Sequence, residues 1–407
     1  MTFDRKDLSN EQLISFYRSL LWPRMIEEKM LVLLRQGKIS KWFSGIGQEA
    51  IAVGATLALQ QDEWIMPLHR NLGVFTTRNM PLHKLFMQWQ GAKEGYSKGR
   101  ERSFHFGNAA HHICGMISHL GPQLAIADGV ALAHKLRKEN KVSLAFTGEG
   151  GTSEGDFHEA LNVAAVWDLP VIFIIENNGY GLSTPVNEQY RCISLVDKAK
   201  GYGMEGVMID GNNILSVYDT IKGVREYCIK HQKPYLIECM TFRMRGHEEA
   251  SGTKYVPQEL FKIWELKDPI KNYEQYLLNS GVLNQSGVEE IKNEFKNKIE
   301  QELAVGFNTP VIVPDAEEEL EDVYSPPKPS RREGFSSTQP RLIDNSNINN
   351  EFTLSGDSAM VASPNGGGRE GARLIDAISE GLKQSMRQHS NLILMGQDIA
   401  EYGGTLK

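Results

Sequence analysis

The sequence predicts an α/β fold: a doubly wound, mostly parallel sheet with helices on both faces. Three observations lead there. Between Val142 and Phe242, apolar runs of strand length alternate with segments of helical periodicity. One run, "VIFII" at Val171–Ile175, carries no polar residue, as a strand buried on both faces requires. Glycine-bearing loops, "TGEGG" and "ENNGYG", follow two of the runs directly, at the strand ends where such sheets place their sites.

The elements follow in chain order. Ser9 and Gln12 have the spacing of a capping box, and Leu13, Phe16, Tyr17 and Leu20 recur behind them at helical intervals. Pro23 predicts a kink or a restart of that helix. "GIGQEAIAVGATLALQQ" reads as a second helix of small residues, suited to close packing. "VSLAF" predicts a strand, Asp156 to Trp167 a helix, Val171–Ile175 the next strand, "GVMID" another and "PYLIECMTF" the last. A helix over Ile214–His231 joins the final two, so the connections read as right-handed crossovers. From Pro314 the texture changes to an acidic run, a proline-rich charged stretch and polar, glycine-rich sequence, which predicts a flexible linker over 314–370. From 371 a helix-then-strand pattern resumes and runs to Lys407. That is the opening of a second domain. The organisation expected is therefore 1–313, linker 314–370, and 371–407.

Composition narrows the function. The chain has 407 residues, 41% apolar content and a formal net charge of -7, so it can bury a large core and has no basic excess for nucleic acid or a membrane surface. Cys114, Cys192, Cys228 and Cys239 form no zinc spacing and read as reduced thiols, and the N-terminus lacks an apolar signal core. A cytoplasmic location is the expectation.

Glu149 lies between Gly148 and Gly150, and the twenty-six residues 151–176 separate this turn from Asn177–Asn178. A strand, a crossover helix and a strand fit that interval, so both loops leave neighbouring strands. A carboxylate and an amide oxygen side by side are hard ligands for a small divalent cation. Glycines beside the acid let backbone N–H groups approach an anion, and the following helix adds its positive end. The pattern suits magnesium held against a diphosphate. Ordinary glycine turns of a doubly wound sheet are the plain alternative. A dinucleotide site fits less well, because "GEGG" lacks the third glycine and the later ribose-binding acid.

The stretch from Gly148 to Arg191, with "GIGQEA" before it and "MTFRMRGH" after it, resembles the α subunit of the thiamine diphosphate-dependent 2-oxo acid dehydrogenases, nearest to the branched-chain type. The resemblance spans about residues 10–310, and the stretch from about 370 is similar to the opening of the β subunit, which implies an α–β fusion. It further implies thiamine diphosphate and Mg2+ as cofactors, with Glu149, Asn178 and the Tyr180 carbonyl as metal ligands. Gly150, Gly151, Gly181, Ser118 and Leu120 match cofactor contacts. Arg70 matches a diphosphate-binding arginine, and His69 stands where the family has tyrosine. His247 matches the active-site histidine of a mobile loop, and His105 is a further candidate lining the approach. Glu248 replaces the serine that regulated relatives carry, so phosphorylation is not expected there. The partners implied are a β-type half, which supplies an activating glutamate, and a lipoyl-bearing acyltransferase; the assembly implied is oligomeric. Glu401, near the start of that half, is not given the activating role. A pyruvate- or acetoin-type dehydrogenase component, or a non-catalytic cofactor-binding relative, remains open. His111, His112 and Cys114 read as local packing or as a second metal site.

Overall fold

The computed structural model describes residues 1–116, 120–310, 312–324 and 374–389. The chain divides into two compact units, Met1–Val323 and Tyr324–Lys407. In the first, the strands are β1 (Ile65–Met66), β2 (Ser143–Gly148), β3 (Val171–Asn177), β4 (Tyr180–Gly181), β5 (Thr184–Pro185), β6 (Glu205–Asp210) and β7 (Tyr235–Met240). Five of them form one parallel sheet in the order β1-β2-β3-β7-β6, and β4 and β5 make a small antiparallel hairpin. The α/β fold expected from the sequence is therefore the fold observed.

Alternation along β3 explains why no residue of "VIFII" is polar. Ile172 and Ile174 join the core on one face, among the helices Asn10–Arg35, Glu49–Ala58, Leu72–Thr77 and Ile214–His231. Val171, Phe173 and Ile175 join the core on the other face, with the helices Pro122–Leu136 and Gly155–Val166. Each side chain of β3 is buried. A strand with water on neither face has no place for a polar residue until it reaches its end.

Of the two outcomes expected at Pro23, a restart does not occur. Asn10–Arg35 runs through Pro23 without a restart, opened by the Ser9–Gln12 capping box. Pro23 removes one backbone donor, while the buried stripe from Leu13 to Leu33 keeps both halves on the core. The small-residue helix Glu49–Ala58 packs closely on Ile214–His231: a Cβ on Gly54 would stand 2.9 Å from the Val217 side chain. A 3-10 turn ends at His111, and Ile113 bridges to Ile65 at the sheet edge.

Within the expected linker, Ala316–Tyr324 is helical, and its acids face cations: Lys93 lies 2.7 Å from Glu318, and Arg100 pairs with Glu319. Residues 325–370, the strand expected after 390, with Glu401, and Ser118 lie outside the described residues. In the second unit, Leu374–Gln388 is the expected helix. Among the described residues no helix is long and apolar enough to cross a membrane.

Asp128 is an anomaly in the helix Pro122–Leu136. It is buried, and neither carboxyl oxygen has a hydrogen-bond partner among the described residues. Burial pushes its pKa up to about 8. The folded value lies above the unfolded one of about 4, so the neutral acid stabilises the fold at low pH and that contribution is lost as pH rises from about 4 to about 8. Asp128→Asn is expected to flatten this fall. Urea midpoints of wild type and variant at pH 5 and pH 8 check it: the variant should gain on wild type at the higher pH, and equal slopes would refute the assignment.

Candidate active site

Parallel pairing puts Gly148 of β2 opposite Glu176 of β3, so the chain leaves both strands side by side. Glu149 is the first residue past β2, and Asn178 the first past β3. The Asn178 N–H donates to Glu149 Oε2 at 2.9 Å, and Tyr180 N–H donates to Asn178 Oδ1 at 3.3 Å. The two asparagines divide the work: Asn177 Nδ2 turns to Glu238 Oε1, 2.7 Å away on β7. Glu149 and Asn178 are both buried. Burial raises the Glu149 pKa, opposed by the Asn178 N–H and by Arg243 and Arg70. Among the described residues no ion pair engages this carboxylate.

The glycines around it are close approaches. A Cβ on Gly150 would stand 3.1 Å from Gly181 Cα, and one on Gly151 would stand 2.5 Å from Thr147 Oγ1. The Thr152 hydroxyl donates to the Glu149 carbonyl at 2.7 Å, and Lys198 Nζ donates to the Thr152 carbonyl at 2.7 Å, which fixes the turn. Leu120 lies beside it: its carbonyl is 3.7 Å from the Gly151 Cβ position, and its own backbone is left-handed, with φ +60°. Strain of that kind in a leucine persists where surrounding structure enforces it.

Opposite this turn sits a cationic cluster. Arg70, fully buried, donates through Nη1 to the Ser44 carbonyl at 2.7 Å and through Nη2 to His69 Nε2 at 2.9 Å. The same Nη2 lies 3.4 Å from His247 Nδ1 and 3.3 Å from its carbonyl. Burial, with Arg243 beside it, lowers the Arg70 pKa to about 10. Burial and the two arginines lower His247 to about 3 and drive His69 well below its ordinary value. The two imidazoles, with ring centres 5.3 Å apart, are therefore neutral, each accepting from Arg70. His105 stands further off. It lies 3.8 Å from Glu101.

Five polar residues behind this cluster escaped the reading of the sequence. Glu176, the residue before Asn177, accepts from Asn71 Nδ2 at 2.6 Å and from Gln48 Nε2 at 3.1 Å. Glu27 accepts from Ser44 Oγ at 2.5 Å and from the Gly45 N–H at 2.8 Å. Burial lifts both acids to about 7. Arg243, inside the quoted "MTFRMRGH", donates to the Leu182 carbonyl at 2.9 Å. The signal for Glu176, Arg243 and Gln48 was their place in stretches already singled out, and Asn71 directly follows Arg70; Glu27 had no signal of its own.

The arrangement suits a diphosphate carried by a divalent cation. Glu149, the Asn178 amide and the Tyr180 carbonyl can offer oxygens to the ion, and the buried carboxylate would regain the charge partner that burial denies it. Arg243 disfavours the charge on Arg70 while Glu176, Glu27 and Glu149 favour it, and glycines bare the backbone beside them, so an anion would find cationic groups and bare N–H groups together. His111 and His112 do not join in: His111 Nδ1 bonds Asn108 at 2.8 Å and His112 packs on Trp64, as local packing implies. Among the described residues no cluster of three or more histidines, cysteines or acids forms a metal site. All four cysteines are free thiols.

The family profile of the dehydrogenase E1 component matches residues 17–313. The chain belongs to that family. It is 34% identical over 321 residues to the 2-oxoisovalerate dehydrogenase subunit alpha of Bacillus subtilis (strain 168), covering 78% of this chain and 97% of that one. It is 32% identical to the mitochondrial 2-oxoisovalerate dehydrogenase subunit alpha 1 of Arabidopsis thaliana, over 72% of this chain and 63% of the relative. To the pyruvate dehydrogenase E1 component subunit alpha of Staphylococcus aureus (strain Mu50 / ATCC 700699) it is 32% identical, over 74% and 80% of the two chains. The matched region of this E1-family chain contains every site residue described above.

Asn71 supports this E1 site from beneath, because its side chain also accepts from the Leu68 N–H at 2.6 Å. Asn71→Leu would strand that donor and one oxygen of Glu176. The expected loss is roughly 2–4 kcal/mol of folding stability, read by urea unfolding; a loss below about 0.5 kcal/mol, the size of a neutral surface change, would contradict the role given to Glu176.

Proposed function

We propose that the chain is the α-type part of the decarboxylating first component of a 2-oxo acid dehydrogenase complex, taking a branched-chain 2-oxo acid and passing the acyl group to a lipoyl carrier. One observation carries this reading: the Glu149 carboxylate meets the Asn178 loop across neighbouring strand ends, beside a buried arginine and histidine cluster. Bound thiamine diphosphate would supply an electron sink for the pair released as CO2 leaves the substrate.

The chain's own residues have distinct tasks. Glu149, Asn178 and the Tyr180 carbonyl hold Mg2+, while Arg70, His69 and the Gly150–Gly151 backbone bind the diphosphate. Leu120 and Gly181 shape the wall against the cofactor's rings. His247 accepts from Arg70 at Nδ1, so Nε2 carries the hydrogen and can donate a hydrogen bond to a substrate carboxylate or oxo group. His105 guards the approach. The site is completed by a β-type half, fused through the segment after 371 or separate, in an oligomeric assembly served by a lipoyl-bearing acyltransferase. Four free thiols suit a reducing compartment, the cytoplasm.

A pyruvate-directed reading has its own support in the Staphylococcus aureus relative. CO2 release by the chain with its β-type half separates the two: a kcat/KM for 3-methyl-2-oxobutanoate at least tenfold above that for pyruvate, roughly 1.4 kcal/mol, is expected, and the reverse order would replace the substrate. His247→Ala should lower kcat by about 10²–10⁴-fold with cofactor affinity kept.

Calorimetric titration with thiamine diphosphate and Mg2+ tests the pocket itself. Binding should require the metal and weaken at least about 100-fold, roughly 2.7 kcal/mol, in Glu149→Ala. Equal affinity in wild type and variant would remove the basis of the proposal, and tight binding without turnover would mark a cofactor-binding scaffold.

A further inference from the structure

The loop that carries His247 is tied to the rest of the site by two side chains that the proposed function leaves without a task. Arg243 follows β7, is buried, and donates in three directions. Its Nη2 reaches the Leu182 carbonyl at 2.9 Å and the Tyr255 hydroxyl at 2.9 Å; its Nη1 reaches the Tyr180 carbonyl at 3.4 Å; its Nε reaches the Arg245 carbonyl at 3.3 Å. The Tyr255 hydroxyl oxygen also accepts the backbone N–H of His247 itself, at 3.3 Å. The Tyr255 ring faces the Tyr180 ring, with centroids 6.0 Å apart.

Two segments distant in sequence therefore meet at one guanidinium and one phenol. The first, Tyr180–Leu182, contains the carbonyl proposed as a metal ligand. The second, Arg245–His247, contains the imidazole proposed to hydrogen-bond the substrate. We propose that Tyr255 is a positioning residue: with Arg243 it fixes the backbone at His247 to the Tyr180–Leu182 turn, so that the imidazole is aligned only when that turn is in place. The inference deepens the function proposed above and rests on it for its catalytic consequence, while the structural tie stands on the hydrogen bonds alone.

The physical case is one of acceptor count. A phenol oxygen has room for two donors, and here both places are filled, one by a charged group. Phenylalanine at 255 keeps the ring contact with Tyr180 but deletes the acceptor. Arg243 keeps its bonds to Leu182 and Tyr180 under that change, so the turn at the metal-ligand loop should hold while the His247 backbone is released. Other ties hold the loop on both sides of the histidine and at the histidine itself: Met244 N–H donates to the Ile46 carbonyl at 3.2 Å, Arg70 Nη2 lies 3.3 Å from the His247 carbonyl, Arg245 pairs with Glu249 at 2.6 Å, and Lys41 lies 3.6 Å from Glu248. They limit how far the loop departs, while Tyr255 is the acceptor of the His247 N–H among the described residues.

The test uses Tyr255→Phe in the full chain, with two readouts. The first needs neither cofactor nor turnover: trypsin cleavage after Arg243, Arg245 and Lys254, followed by mass spectrometry. Cleavage at these three bonds is expected to rise roughly tenfold in the variant, the scale of one lost hydrogen bond to a charged partner, with other sites and the thermal midpoint unchanged. The second readout is turnover by the chain assembled with its β-type half. There kcat should fall about 10–100-fold, as expected for a misaligned group, while KM and the Kd for thiamine diphosphate stay within about twofold, under 0.5 kcal/mol. Equal protection of the three bonds would overturn the tie. An unchanged kcat, or a matched loss of kcat and cofactor affinity, would overturn the positioning role. If wild-type chain binds no thiamine diphosphate, the proposed function fails and the trypsin comparison still decides the tie.

Discussion

The site depends on one hydrogen bond between two strand ends, from the Asn178 N–H to the Glu149 carboxylate. It exists because β2 and β3 run parallel and in register, so that Gly148, the last residue of β2, stands opposite Glu176, one residue before the end of β3. The apolar faces of β3, one in each half of the core, fix that register: a slip by one residue would exchange Ile172 and Ile174 with Val171, Phe173 and Ile175. Packing of the sheet thus sets the distance between an acid and an amide that local sequence could never set by itself.

Around this junction the molecule holds several charges away from water. Glu27, Glu149 and Glu176 are all raised by burial, and Arg70 is lowered by it. Such groups cost stability unless hydrogen-bonded, and here each acid has donors: Ser44 and Gly45, Asn178, Asn71 and Gln48. The buried acids and arginines thus offer hard oxygens and cationic groups side by side, the electrostatic combination that the proposed function uses.

Much of the sheet was legible in the sequence because strands and helices are written locally. "VIFII" and Ile214–His231 needed only periodicity. The two-residue strand β1 did not show, since its existence rests on pairing with β2 and on the bridge to Ile113. Pro23 misled because its helix is held by tertiary packing on both sides of the proline. Glu149 and Asn178 were legible through spacing. Glu176 was not, because its partners Gln48 and Asn71 come from 128 and 105 positions away. Tyr255 and Arg243 belong to the same class: their meaning lies in which carbonyls they face, and only the fold shows that.

The most direct measurement of the central claim is a crystal structure of the chain with its β-type half, grown with thiamine diphosphate and Mn2+ in place of Mg2+ and read by anomalous scattering. The account predicts one manganese peak within coordination distance of Glu149, Asn178 Oδ1 and the Tyr180 carbonyl, beside the diphosphate. A peak elsewhere, or a diphosphate bound with no ion between these loops, would contradict it.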